Sequence, residues 1–122
     1  MSDANPSDPR LSLRLHYAQG LTFGRGKADL LQAIAAEGSI SAAGRHLGMS
    51  YRRAWALVEE MNRHFRLPLV ESSRGGMRGG GAQLTDLGRQ VLSDYRALED
   101  LLRAAPQLAA LGAALGDMPD RK

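Results

Sequence analysis

Leu11-Ser12-Leu13-Arg14-Leu15-His16-Tyr17 alternates apolar and polar residues without a break. A period of two predicts a strand with Leu11, Leu13, Leu15 and Tyr17 on its buried face. The stretch from Gly20 to Gly26 reads as a turn-rich connector. From Lys27 to Glu37 the period lengthens: Leu30, Leu31 and Ile34 form a helical stripe among Ala28, Ala33, Ala35 and Ala36, and Gly38 follows as a C-cap. Ser39 or Ser41 can cap a second, short helix that runs to Leu47, where Gly48 breaks it. Ser50 is a fitting N-cap for a third helix. Ala54, Val58, Met61 and Phe65 give that helix a core stripe, Trp55 flanks the same face as a further core residue, and Pro68 marks the end.

Leu69-Val70-Glu71 is a short strand candidate, followed by a loop over 72–83 that holds five glycines with Arg74 and Arg78. Thr85 can cap a fourth helix, in which Leu87, Val91, Tyr95, Leu98 and Leu102 recur at helical spacing. Leu92 and Leu101 form a second row beside them, and two apolar rows suit a helix that serves both a core and a partner. Pro106 interrupts, and Leu108, Leu111 and Leu115 mark an amphipathic tail over 106–122 with the spacing of a short helix. Residues 1–10, with Pro6 and Pro9, read as a disordered leader. The expected fold is mainly α with a small β-sheet, in one domain over 11–105.

Composition narrows the chemistry. The chain has 122 residues, enough for one ordinary domain, and 5% aromatics, so Leu, Ala, Val and Ile must build most of the core. Cysteine is absent, which excludes disulfides, thiolate metal sites and a cysteine nucleophile. The net charge is only +3. Its distribution says more: between Arg45 and Arg78 lie seven arginines (Arg45, Arg52, Arg53, Arg63, Arg66, Arg74, Arg78) against Glu59, Glu60 and Glu71. That stretch carries more than the whole chain's excess, as a surface for a polyanion does. No apolar run approaches the roughly 18 residues of a membrane span, and the N-terminus lacks an apolar signal segment. A cytoplasmic protein without a membrane partner is expected.

Two short helices joined by a tight glycine turn outline a helix-turn-helix. Ala43 and Gly44 let the helices cross closely, Leu47, Val58 and Met61 fill the space between them, and Gly48 takes the sharp turn. The third helix, about 50–65, then offers Ser50, Tyr51, Arg52 and Arg53 to duplex DNA. Arginine donates two hydrogen bonds to guanine in the major groove, and free amides at the helix start favour phosphate. Ser41, Arg45, Arg74, Arg78 and Lys27 are the candidate phosphate contacts. The Gly/Arg loop over about 72–83 has the place and composition of a wing reaching the backbone or minor groove.

Other chemistries lack an anchor. Gly24-Arg25-Gly26-Lys27 is no phosphate loop, because residue 21 is Leu and residue 28 is Ala where that motif needs Gly and a hydroxyl. His16, His46 and His64 have no metal-ligand spacing. No catalytic constellation appears, so a non-enzyme without cofactors or metal is expected.

The frame from Gly38-Ser39-Ile40-Ser41-Ala42-Ala43 to Asn62 resembles the N-terminal domains of LysR-type regulators. Gly48-Met49-Ser50-Tyr51-Arg52-Arg53-Ala54-Trp55, Glu60-Met61-Asn62, Leu69-Val70-Glu71 and Gly75-Gly76-Met77-Arg78-Gly79-Gly80-Gly81-Ala82-Gln83-Leu84-Thr85 followed by Gly88 narrow it to the ModE family of molybdate-responsive regulators. The resemblance covers about residues 11–103. It implies a winged helix-turn-helix acting as a homodimer, with the first strand, first helix and long last helix at the dimer and the helix from Ser50 in the major groove. Full-length members of that family carry C-terminal molybdate-binding domains. The sequence stops at Lys122, so no molybdate pocket is expected in it. An alternative is a protein-interaction module that pairs with a longer regulator and modulates it.

Overall fold

In the computed structural model, which describes residues 10–73 and 81–116, the chain runs β1 (Arg14–His16), β2 (Thr22–Gly24), α1 (Arg25–Glu37), α2 (Ile40–Leu47), α3 (Tyr51–His64), β3 (Val70–Ser73), β4 (Gly81–Leu84), α4 (Asp86–Arg103) and α5 (Pro106–Ala113). The strands form two antiparallel hairpins, β1 with β2 and β3 with β4. With the helices, they make a winged helix-turn-helix.

The first hairpin departs from the sequence pattern. Leu11, Leu13 and Leu15 alternate as expected but are only half-buried, and the ladder begins at Arg14. Tyr17, expected to face inward, is 47% exposed, because the chain turns there: its N–H donates to Leu21 O at 2.9 Å, and Gly20 takes φ +91°. The expected connector 20–26 instead supplies β2 and the start of α1. Phe23, opposite Leu15, is fully buried, with its ring edge-on to those of Phe65 at 6.1 Å and Tyr95 at 5.3 Å. The Tyr95 hydroxyl donates to Leu13 O at 2.6 Å. Burial and then the Glu99 carboxylate push that phenol above its ordinary value.

Leu30, Leu31 and Ile34 of α1 meet Val58 and Met61 of α3 and Leu69 in the core, all six fully buried. Gly38 ends α1 at φ +81°, a conformation that disfavours any side chain with a Cβ. The cap of α2 is Ser39, whose Oγ accepts from Ala42 N–H at 3.0 Å. The helices α2 and α3 cross as closely as their small residues allow: a Cβ added to Gly44 would stand 3.2 Å from that of Ala54. Gly48 makes the turn at φ +74°, and Ser50 Oγ accepts from Arg53 N–H at 3.1 Å to cap α3.

The second hairpin is longer than the expected strand Leu69-Val70-Glu71. Ser72 and Ser73, expected in the loop, pair with Ala82 and Gly81, and Glu71 pairs with Gln83. Asn62, near the end of α3, clips the hairpin down. Its Oδ1 accepts from Leu69 and Val70 N–H at 2.8 and 3.2 Å, while its Nδ2 donates to Val70 O at 3.0 Å. Ala82 N–H donates to Gly38 O at 2.9 Å, which sets the hairpin beside the α1–α2 junction.

Thr85 caps α4 by accepting from Gly88 N–H at 3.0 Å, and its hydroxyl donates to Pro68 O at 2.7 Å. The helix is tied to α1 by Arg96, which reaches Asp29 at 2.8 Å and Gln32 at 2.7 Å and also pairs with the buried Glu99. Leu87, Val91, Leu98 and Leu102 are half-buried and Leu101 is 67% exposed. Pro106 starts a new helix at a first-turn position that tolerates a missing N–H. That helix, α5, buries none of its residues.

Candidate nucleic-acid interface

The first turn of α3 stands clear of the core. Ala54, Val58 and Met61 bury one row, which leaves Ser50, Tyr51, Arg52 and Arg53 exposed on the other side. Ser41 and Arg45 are exposed on α2, where Arg45 donates to Ser41 Oγ at 3.3 Å. Among the described residues, the ion pairs within 4.0 Å leave out Arg45, Arg52 and Arg53. Three guanidinium groups therefore face solvent without a carboxylate to neutralise them, and each keeps its donors available for an anion.

The hairpin β3–β4 comes down beside these residues. Ser39, Ile40 and Ser41 at the start of α2, Tyr51 and Trp55 of α3, and Ser72, Ser73, Gly81 and Ala82 at the end of the hairpin line one cleft of about 230 Å³. So the start of α2, the start of α3 and the stem of the second hairpin share one face. Arg74 and Arg78 lie outside the described residues.

Lys27 turns the other way. Its Nζ donates to Thr22 O at 2.6 Å and lies 3.5 Å from Glu60 Oε1, with its side chain 10% exposed. The expectation of a phosphate contact fails on that burial: the ammonium is spent holding β2 and α3 to the start of α1. Trp55 corrects the sequence in the opposite sense. Expected in the core, it is 36% exposed, one residue beyond the Ala54 row and one turn along from Tyr51. Its exposure beside two arginines was legible from the helical register, in which 51 and 55 share a row that 54 and 58 do not.

A separate apolar cleft has a different set of lining residues. Leu15, Tyr17, Phe23, Phe65, Val91 and Leu98 are among the residues lining a cleft of about 280 Å³ between the first hairpin and α4. The half-buried row of α4 continues along it.

Comparison with known proteins finds relatives over these same elements. Residues 27–89 match the family model for the bacterial regulatory helix-turn-helix protein, lysR family. The Molybdenum transport protein ModE of Azotobacter vinelandii is 49% identical over 80 residues, covering 66% of this chain and 30% of that protein. The DNA-binding transcriptional dual regulator ModE of Escherichia coli K12 is 38% identical over 93 residues, covering 76% of this chain and 36% of that protein. The Molybdenum-pterin-binding protein MopA of Rhodobacter capsulatus is 38% identical over 94 residues, covering 77% and 36% respectively. The chain spans about a third of the length of these curated relatives.

Proposed function

Because the chain belongs to the lysR family of bacterial regulatory helix-turn-helix proteins, and its matched region is a ModE-family DNA-binding domain, we propose that it is a transcriptional regulator that binds duplex DNA site-specifically as a homodimer. The observation that carries this is the first turn of α3, where Arg52 and Arg53 stand exposed and uncompensated among the described residues, next to Tyr51, which shares a cleft with the end of the second hairpin. In this proposal α3 enters the major groove, and Ser50, Tyr51, Arg52 and Arg53 face base edges. Ser41 and Arg45 hold phosphates, and the wing brings Arg74 and Arg78 to the backbone or minor groove. Lys27 has no part in it. The open apolar face along α4 supports a two-fold dimer, which would read a two-part site with half-sites about one helical turn apart.

The test is a salt series of duplex-binding affinities for Arg52→Ala and Arg74→Ala. The first costs about 1–3 kcal/mol and relaxes preference at one base position. The second weakens binding evenly across sequences and makes the salt dependence shallower. Unchanged affinity and salt slope in both folded variants refute the assignment.

One observation favours a second reading. Helix α5 is uncovered, and Leu111 on it and Leu115 just beyond its end are 68% and 61% exposed, which suits a module that docks on a longer regulator. Native mass spectrometry of the chain mixed with a full-length relative tests it, and the absence of a hetero-oligomer counts against it.

A further inference from the structure

Extending the DNA-binding proposal to a surface distinct from its arginines, we propose that Tyr51 and Trp55 form a reader of the thymine methyl group. The two rings lie one turn apart on α3, with centroids 6.4 Å apart and planes inclined by 31°. They are 54% and 36% exposed, so two large apolar surfaces meet water in a small protein with few aromatics. Neither ring touches the aromatic core cluster of Phe23, Phe65 and Tyr95. A pair left outside the core in this way gains most when something removes it from solvent.

The cleft beside the rings indicates what does so. Its apolar wall is Tyr51, Trp55 and Ile40, and its rim carries the hydroxyls of Ser41, Ser72 and Ser73. The uncompensated Arg45, Arg52 and Arg53 stand exposed on the same two helices that line it and add positive charge to them. An apolar protein segment matches the wall but neither the rim nor the charge. A thymidine nucleotide matches all three. Its 5-methyl is the apolar group that the major groove presents, its phosphate accepts from hydroxyls, and its strand is an anion. The rings therefore select A·T pairs at a position beside the one where an arginine selects guanine.

The chain holds a single tryptophan, so fluorescence excited at wavelengths that tyrosine does not absorb reports on this cleft alone. The experiment uses the full chain and a duplex recovered by selection from a random library. Binding shields Trp55 from acrylamide quenching. Replacing the contacted thymine by deoxyuridine weakens binding about four-fold, the worth of one buried methyl. Trp55→Phe keeps the thymine–uracil difference, whereas Trp55→Ala, checked for folding by circular dichroism, loses it. Full acrylamide access in the bound state overturns the proposal, and so does equal affinity for thymine and uracil at every position. Those results leave site-specific binding intact, whereas failure to bind any duplex overturns the DNA-binding proposal and this one with it.

Discussion

Gly88→Ala is the substitution on which the assembly of the second hairpin with α4 can be judged. A Cβ at Gly88 would stand 2.1 Å from Leu69 O and 3.0 Å from Leu69 C, where ordinary contact needs 3.4 Å or more. The obstacle is backbone, so no rotamer change relieves it. Leu69 is fully buried, its carbonyl accepts from Thr85 N–H at 2.9 Å, and its own N–H donates to Asn62 at 2.8 Å. Moving the carbonyl away breaks the link to Thr85. Moving α4 away breaks the Thr85 cap on Gly88 N–H. Overpacking against a movable side chain costs about 1–3 kcal/mol, and a fixed carbonyl puts this case at the top of that range, about 3 kcal/mol. For a domain of this size the loss lowers Tm by roughly 12–24 °C. Gly26→Ala is the internal control. Nothing lies within 4 Å of its added Cβ, and it sits exposed in the first turn of α1, so the change is neutral or stabilising by up to about 1 kcal/mol. Urea and thermal unfolding followed by circular dichroism compare both with the parent. A Gly88→Ala protein within 1 kcal/mol of the parent would refute the close approach of Leu69 to α4.

Other consequences follow from single contacts. Asn62→Ala removes the acceptor for two backbone N–H groups and a donor to Val70 O, so it costs about 2 kcal/mol in urea unfolding. It also weakens DNA binding without touching the proposed interface, because it releases the hairpin from α3; unaltered stability counts against the clip. The raised phenol of Tyr95 makes folding sensitive to alkali. Its stabilising contribution is fully present below pH 10.0, its ordinary value, and is lost as pH rises toward the higher folded value. Unfolding measured from pH 8 to 11 shows a decline that Tyr95→Phe reduces, and equal slopes refute the assignment.

Where the sequence was legible, the interaction was local. The caps Ser50 and Thr85, the glycine ends of α1 and α2, and the core row of α3 all depend on residues within about one turn of each other. Most of the features that escaped depend on tertiary pairing, Trp55 being the exception. β2 is three residues long inside a glycine-rich stretch, and Phe23 becomes core only because Leu15, Phe65 and Tyr95 meet there. Lys27 resembles a DNA cation until Glu60, remote in sequence, takes its charge. Trp55 lies one residue off the Ala54 row, so its apolar character suggested the core while its register put it outside. The loop over 72–83 gave up both ends to a hairpin, since pairing of Ser72 with Ala82 has no signature in either segment alone. Ser41, Arg45 and the start of α3 were legible because the helix-turn-helix frame fixes which side of each helix is free.

The central claim, that the exposed start of α3 reads duplex DNA, is tested most directly by selecting bound sequences from a random duplex library with purified protein at near-physiological salt. The expected result is enrichment of a two-part palindrome with half-sites about one helical turn apart. An enriched pool without a motif contradicts site-specific reading, and no enrichment at any salt contradicts DNA binding itself.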